Sequence, residues 1–361
     1  MTTAHTAHLV APGTGARDRS VDVLKGIGIV IIVMGHMDYS ALGGGFVSYL
    51  YTFNVALFFV VAGYTWRAKP GQPLWAGILV KFRTIYLPYV VLFAISLLYG
   101  HLVVRYVWTE YVIPFEWGAT LRALLFASDW LNTVPTFNFA LWFLPIFFLS
   151  SVAFSVLQKI PNRWAWGAVV LALALVSLPF QELLPGRPIV NINVLPVGLV
   201  LMACGYLLKK YLDIASVNVF ALIALFGFTL WAAFNHAGNI SAIGSFWFYP
   251  LALGSFVLYL RLAHGLRSST FLLFIGTNSL IMFGIHGLVG NTYLHTHIQD
   301  YFAPEWSGLM LYLINLAYTL LATYSVVLVY RYLKERVLHV VHRRTERRRA
   351  PRLVNSATGN A

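Results

Sequence analysis

Charge is what this sequence has least of. Of its 361 residues only 10% are Asp, Glu, Lys or Arg, against roughly 25% in a soluble globular domain. A soluble enzyme, a nucleic-acid module and a disordered scaffold are all excluded, because each needs far more charge or polarity than this. Acid is scarcest: 12 Asp and Glu face 25 Lys and Arg, for a net charge of +13. Cysteine is nearly missing, and the single Cys204 can build neither a disulfide framework nor a thiolate zinc site. The opening stretch, MTTAHTAHLVAPGTGARDRS, lacks an apolar core behind a basic start. It is therefore not expected to act as a cleavable signal peptide, and the first apolar segment should be retained. No internal repeat and no second domain are visible.

Apolar residues fill the space left by charge. They make up 59% of the chain, aromatics make up 16%, and the mean hydropathy is +0.73. Apolar runs near the ~20 residues a membrane helix needs recur ten times. They cover 23–40, 46–66, 84–104, 137–158, 164–180, 190–208, 217–235, 243–263, 270–291 and 307–330. The stretch 74–83 reads as an amphipathic lead-in on the membrane surface, and the long loop 105–136 as holding an interfacial helix near 118–127. The expected fold is an all-α, multi-pass membrane protein of about ten transmembrane helices, with N- and C-termini in the cytoplasm. With that orientation 21 of the 25 basic residues fall on the cytoplasmic side; Arg105, Arg122 and Arg187 fall outside, and Lys25 stands at the edge of the first span. Slipping the count by one span would scramble this alternation. The expected organisation is an N-terminal tail over 1–20, a membrane domain over 21–330 and a basic cytoplasmic tail over 331–361. The tail motif HRRTERRRAPR is expected to set topology against anionic lipid headgroups, the alternative being a partner-docking or nucleotide-phosphate role, and it does not point to nucleic acid.

Ionisable groups at membrane depth are costly, and are functional candidates for that reason. The first span, SVDVLKGIGIVIIVMGHMDY, concentrates Asp22, Lys25, His36 and Asp38. Lys25 and His36 are eleven residues apart, about 16 Å along a helix and close to three turns, so they project from nearly one face. A cation at the entrance and a titratable base deep inside suit a long ligand with an anionic head and a reactive far end, such as an acyl-CoA. The plainer alternative is a Lys25 that snorkels to the headgroups and a His36 that packs helices. His286 is open to both readings, proton relay or packing. Asp38 could orient His36 only at an irregular helix end. His295 and His297 make a weak metal signal, so no metal site is expected. The glycines around the first two spans have no phosphate-loop spacing and mark turns and close helix packing.

The run LKGIGIVIIVMGH followed by YTFNVALFFVVAGYTW resembles the acyltransferase 3 family of integral-membrane O-acyltransferases, in particular its fucose 4-O-acetylase-like branch. Lys25 and His36 match the family's basic residue and histidine in the first span. Phe58, Phe59, Ala62 and Gly63 match a second-span motif of two aromatics and a small–Gly pair. KFRTIYLPY (Lys81, Arg83, Pro88, Tyr89), ALWFLP (Trp142, Phe143, Leu144) and FIGTNSLIMFGIH (Gly276, Asn278, Ser279, His286) fall where the family has similar stretches. The resemblance runs in order from about residue 19 to 330. Two positions depart from it: Asn54 stands where the family usually has His, and Ala62 where it has Ser. Asn54 cannot titrate near neutral pH, so it either orients substrate or marks a chain that has lost activity.

The resemblance implies a bacterial inner-membrane enzyme that moves an acetyl group from acetyl-CoA, with no tightly bound cofactor, to a sugar hydroxyl. The implied acceptor is an exopolysaccharide of the xanthan or acetan type, carried as a lipid-linked glycan, with polysaccharide-assembly proteins as partners. His36 is the implied catalytic residue, as general base or acyl carrier, with support from Asn54, His286 and Asp38. Lys25, Lys81 and Arg83 would hold the donor's phosphates. Trp142, Tyr64, Asn278 and Ser279 are candidates for the substrate cavity. The competing readings are a transporter of glycans or lipid-linked oligosaccharides, with Lys25, His36 and His286 as a proton path, and a catalytically degenerate family member.

Overall fold

The computed structural model describes residues 18–37, 44–104, 116–127, 138–186, 188–235, 238–290 and 308–357. Among the described residues every regular element is a helix, apart from one isolated bridge between Asn239 and Ala242. Helix α1 (Arg19–His36) starts where Asp18 Oδ1 accepts the Ser20 amide at 3.0 Å, and stops at Met37, whose backbone is extended. The carboxylate takes one of the amides a helix start leaves over. Helices α2 (Gly44–Phe53) and α3 (Ala56–Tyr64) form one apolar segment broken at Asn54–Val55. Asn54 Oδ1 accepts the Val55 amide at 2.7 Å, offering the backbone a local bond in place of the helical one.

Helix α4 (Leu74–Lys81), a π-helical turn (Phe82–Tyr86) and α5 (Leu87–Tyr99) then follow one another directly. Together they make a single apolar helix over Leu74–Val103. The lead-in read at 74–83 is therefore part of the span that follows it. Pro88 stands inside this continuous helix, and the π turn directly before it is where the hydrogen-bond ladder accommodates its missing N–H. Helix α6 (Trp117–Phe126) lies where the loop helix was expected, and the Tyr89 hydroxyl donates to its Leu124 carbonyl at 2.8 Å. Helix α7 (Phe143–Leu157) is entered through a 3-10 turn (Phe139–Trp142). Next come α8 (Arg163–Leu183), α9 (Leu195–Tyr211), α10 (Val219–Asn235) and α11 (Phe248–Gly265). Helices α12 (Thr270–Thr277) and α13 (Ser279–Gly290) meet at an 88° bend, and α14 (Gly308–Ala357) runs across residue 330 without a break.

Six helical segments among the described residues are long and apolar enough to cross a membrane, and the bent α12–α13 pair makes up to seven. Ten were read from the sequence. The other three segments are helical as well, with shorter or more polar helices. Helix α10 has 17 residues, α1 holds Arg19, Asp22 and Lys25 in 18, and α11 ends with Arg261 and His264. Apolar side chains stand uncovered along several helices, with Leu98 58% and Leu171 61% exposed. Such faces would be a liability in water and are what a lipid environment demands of a helical membrane protein.

Helix α1 is the hub, packed by α2, α11, α12, α13 and α14. Two crossings bring backbones into direct contact through glycine. A methyl group on Gly63 would strike the Met202 carbonyl, and one on Gly205 the Val60 carbonyl, where α3 crosses α9. Gly26 and Gly276 stand in the same way against Leu272 and Asp22, where α1 crosses α12. Small residues at a crossing are how membrane helices gain close packing without a hydrophobic drive.

Candidate active site

His36 is the last residue of α1. Its Nδ1 lies 2.8 Å from the Ile32 carbonyl one turn back and 3.4 Å from Nε2 of His286 on α13. His286 is 1% exposed, and its own Nδ1 lies 2.6 Å from the Phe283 carbonyl. A carbonyl oxygen only accepts, so hydrogen bonding assigns the proton of each neutral ring to Nδ1. His286 Nε2 is then an acceptor facing the His36 Nδ1–H, and Nε2 becomes the basic nitrogen of His36. A second group that holds a base in one tautomer is the usual partner of a general base or nucleophile. His286 is thus both buried in the helix packing and in contact with His36.

A cavity of about 450 Å³ opens beside His36. Tyr51, Asn54 and Trp142 line it, together with Asn239, Ile240, Ser241 and Ala242 from the segment between α10 and α11. Tyr51 donates to the Gly35 carbonyl at 2.6 Å and sets its ring edge-on to His36, 6.4 Å between centroids. The sequence reading missed it, although it precedes Asn54 by one helical turn and so shares its face. Asn54 is 2% exposed, and its role as helix breaker fixes it in this wall.

Gln181 on α8 holds the polar side of the cavity. Its Nε2 donates to the Ile240 carbonyl at 2.8 Å and its Oε1 accepts the Ile243 amide at 2.9 Å. Gln181→Met keeps the volume and strands both backbone groups. Each buried group left unsatisfied costs about 1–3 kcal/mol. The variant is expected to melt at a clearly lower temperature than wild type; thermal unfolding in detergent checks this, and a variant indistinguishable from wild type sinks it.

A second cavity, of about 380 Å³, lies toward the N-terminal half of α1 and is lined by Lys25, Trp66, Lys81, Ser151 and Ser279 among apolar side chains. Lys25 does not stand alone there: its Nζ pairs with Asp22 at 2.8 Å, with the carboxylate 4% and the lysine 24% exposed. Lys81 enters from the last turn of α4. Arg83, two residues on in the π turn, is exposed and does not line the cavity.

The other sequence candidates divide clearly. Ser279 lines the Lys25 cavity and Trp142 the His36 cavity. Asn278 lines neither: its Nδ2 donates to the Phe274 carbonyl at 2.7 Å, and the residue forms the bend between α12 and α13. Tyr64 is also elsewhere. It borders a polar cavity of about 510 Å³ with Arg19, Lys209, His264 and Arg267, and Lys209 Nζ covers its ring at 4.7 Å from the centroid. A sugar therefore cannot stack on Tyr64 and Trp142 together. Asp38, His295 and His297 lie outside the described residues. Among the described residues no group of three or more His, Cys, Asp or Glu is placed to hold a metal ion.

Helix α1 thus carries the Lys25–Asp22 pair beside one cavity, which Lys81 of α4 also lines, and an oriented histidine beside another. No curated protein and no solved structure matches the chain. The pattern of the Acyltransferase domain family matches residues 18–330, nearly the whole helical assembly, and the chain belongs to that family of acyltransferases.

Proposed function

We propose that this membrane acyltransferase moves an acetyl group from acetyl-CoA to a sugar hydroxyl of a bacterial exopolysaccharide or its lipid-linked precursor. The observation that carries the reading is the histidine pair: His36 lines a cavity wide enough for a sugar, and its Nδ1 lies against the Ile32 carbonyl and His286, which makes Nε2 its basic nitrogen. In the transfer the acceptor hydroxyl oxygen attacks the thioester carbonyl, the C–S bond breaks, and the hydroxyl proton passes to His36 Nε2. The thiolate leaves as free CoA after taking a proton. In the alternative course Nε2 itself takes the acetyl group first and hands it on. Asn54 and Trp142 position the acceptor, and Ser279 lines the donor side.

Lys81 is the donor-side cation that serves the phosphates, because the Lys25 charge is already matched by Asp22. The loop-charge alternation supports ten crossings with both termini in the cytoplasm and an inner-membrane location, which would put the Lys25 cavity on the side where acyl-CoA is made. Membranes holding the protein, given radiolabelled acetyl-CoA and extracted glycolipid, are expected to label the glycolipid. Lys81→Ala should raise the apparent KM for acetyl-CoA about tenfold, the loss of one charge-assisted contact. Arg83→Ala should change it less than about twofold, as an exposed charge outside the cavity. No label with any short acyl-CoA ends the reading, and equal KM effects at Lys81 and Arg83 would remove Lys81 from the donor site.

A further inference from the structure

The linings of the Lys25 and His36 cavities have two residues in common, Phe143 and Phe283. The two rings meet edge to face, 5.4 Å between centroids, and each residue is only 5% exposed. Both rings therefore stand between the cavities, one side toward Lys25 and the other toward His36. Phe143 is backed by Phe147 at 4.9 Å and Phe59 at 5.6 Å, so it is the fixed half of the wall. Phe283 is tied to the histidine pair instead. Its carbonyl accepts from His286 Nδ1, and its ring lies 5.7 Å from the imidazole.

Lys25, which lines the same cavity as Lys81, precedes His36 by about 16 Å along α1 at 1.5 Å per residue, and a donor whose phosphates stay in that cavity has to bring its thioester to His36. The wall lies on that path. We propose that Phe143 and Phe283 are the partition between a donor chamber and an acceptor chamber, passed by the thin apolar acyl end and closed to water and to bulkier acyl groups. This rests on the donor and acceptor assignment given above. Its chemical purpose is to hold back hydrolysis: water reaching the thioester at His36 breaks the same C–S bond and yields acetate and free CoA with no acetylated sugar. Excluding water from an activated ester is the ordinary reason for a closed site. An edge-to-face aromatic pair can do this, because a ring can turn aside without stranding any polar group.

The test uses the full-length protein in sealed membrane vesicles. Two substitutions prepare it: Cys204→Ser removes the native thiol, and Ser241→Cys places a single thiol in the His36 cavity. A charged, membrane-impermeant thiol reagent is then added to one face or the other. With both rings present the thiol introduced at position 241 is expected to react from one face; with Phe143→Ala it should react from both, at least tenfold faster from the face that was closed. Phe283→Leu is the milder opening should Phe143→Ala fail to insert. This readout needs no substrate, so it stands or falls apart from the acetyl-transfer reading. In the same variants acetyl-CoA hydrolysis without acceptor should rise at least tenfold, and butyryl-CoA should become a donor. Labelling from both faces with both rings in place overturns the partition, as does one-sided labelling in a folded Phe143→Ala protein. Vesicles that show the labelling pattern but never transfer acetyl would overturn the functional reading and leave the partition standing.

Discussion

Replacing His36 with alanine is expected to lower acyl transfer by roughly 100- to 10,000-fold, the range set by losing a positioned proton acceptor, in membranes holding the variant at wild-type abundance. The size follows from geometry. His36 borders its cavity with the Nδ1–H turned to the Ile32 carbonyl and His286 Nε2, and among the described residues no other histidine lines that cavity. His286→Ala should act through His36: it takes away the acceptor that shares the Nδ1–H and leaves the base in place. Its loss should be smaller, should appear in kcat with the KM for either substrate little changed, and should add nothing to His36→Ala. Residues that act as one unit are non-additive in this way. Wild-type rates in His36→Ala would sink the assignment, and full additivity would uncouple the pair. Incubation with labelled acetyl-CoA and no acceptor separates the two courses: acetyl bound to wild type and absent from His36→Ala means a carrier, and none on either means a base.

The features that made His36 conspicuous in the sequence were its ionisable side chain and its depth in an apolar run, and both are properties of a single helix. His286, 250 positions away on α13, stands there only as a relay or packing histidine and as support implied by the resemblance; that its ring meets His36 is not a property of either segment alone. Periodicity places side chains on a helix face, but which helix that face meets is decided by packing. The same limit explains Lys25 and His36, which share one face of α1 yet open on different cavities. The rings that part them come from α7 and α13. Local chemistry was readable in a different way at Asn54. The departure from the family pattern pointed to lost titration, and the structure adds a second consequence, a helix break with the side chain bonded to the next amide. Arg83 and Lys81 were equivalent as charges in KFRTIYLPY. Two residues apart on a helix, they project roughly 200° from one another, and packing decides that Lys81 is the one that enters the cavity.

The span count is the converse case. Each of the ten apolar runs holds a helix, because apolar length alone specifies that much in a bilayer. Whether a run is a clean crossing depends on details that composition averages away. The α12–α13 segment passes as one span by apolarity and yet bends by 88° at Asn278. Its amide side chain caps the first half, bonding the Phe274 carbonyl at 2.7 Å. Ser279, at the start of the second half, lines the Lys25 cavity.

The two glycine crossings should give the largest stability effects in the molecule. Gly63→Ala is expected to destabilise by about 3 kcal/mol or more, at or beyond the usual cost of overpacking, because the added methyl meets the Met202 backbone carbonyl and not a side chain that can swing away. Gly77→Ala, also in a helix but with open space around it, should be neutral or stabilising by up to about 1 kcal/mol, the helix-propensity gain of alanine. Opposite signs for the same substitution are the mark of a backbone contact, and thermal unfolding in detergent reads them; equal shifts would dismiss the close crossing. Gly276→Ala should do more than destabilise. Its methyl would strike the Asp22 carbonyl, on the residue whose carboxylate holds Lys25 at 2.8 Å. The α1–α12 crossing therefore bears on the Lys25–Asp22 pair as well as on the fold.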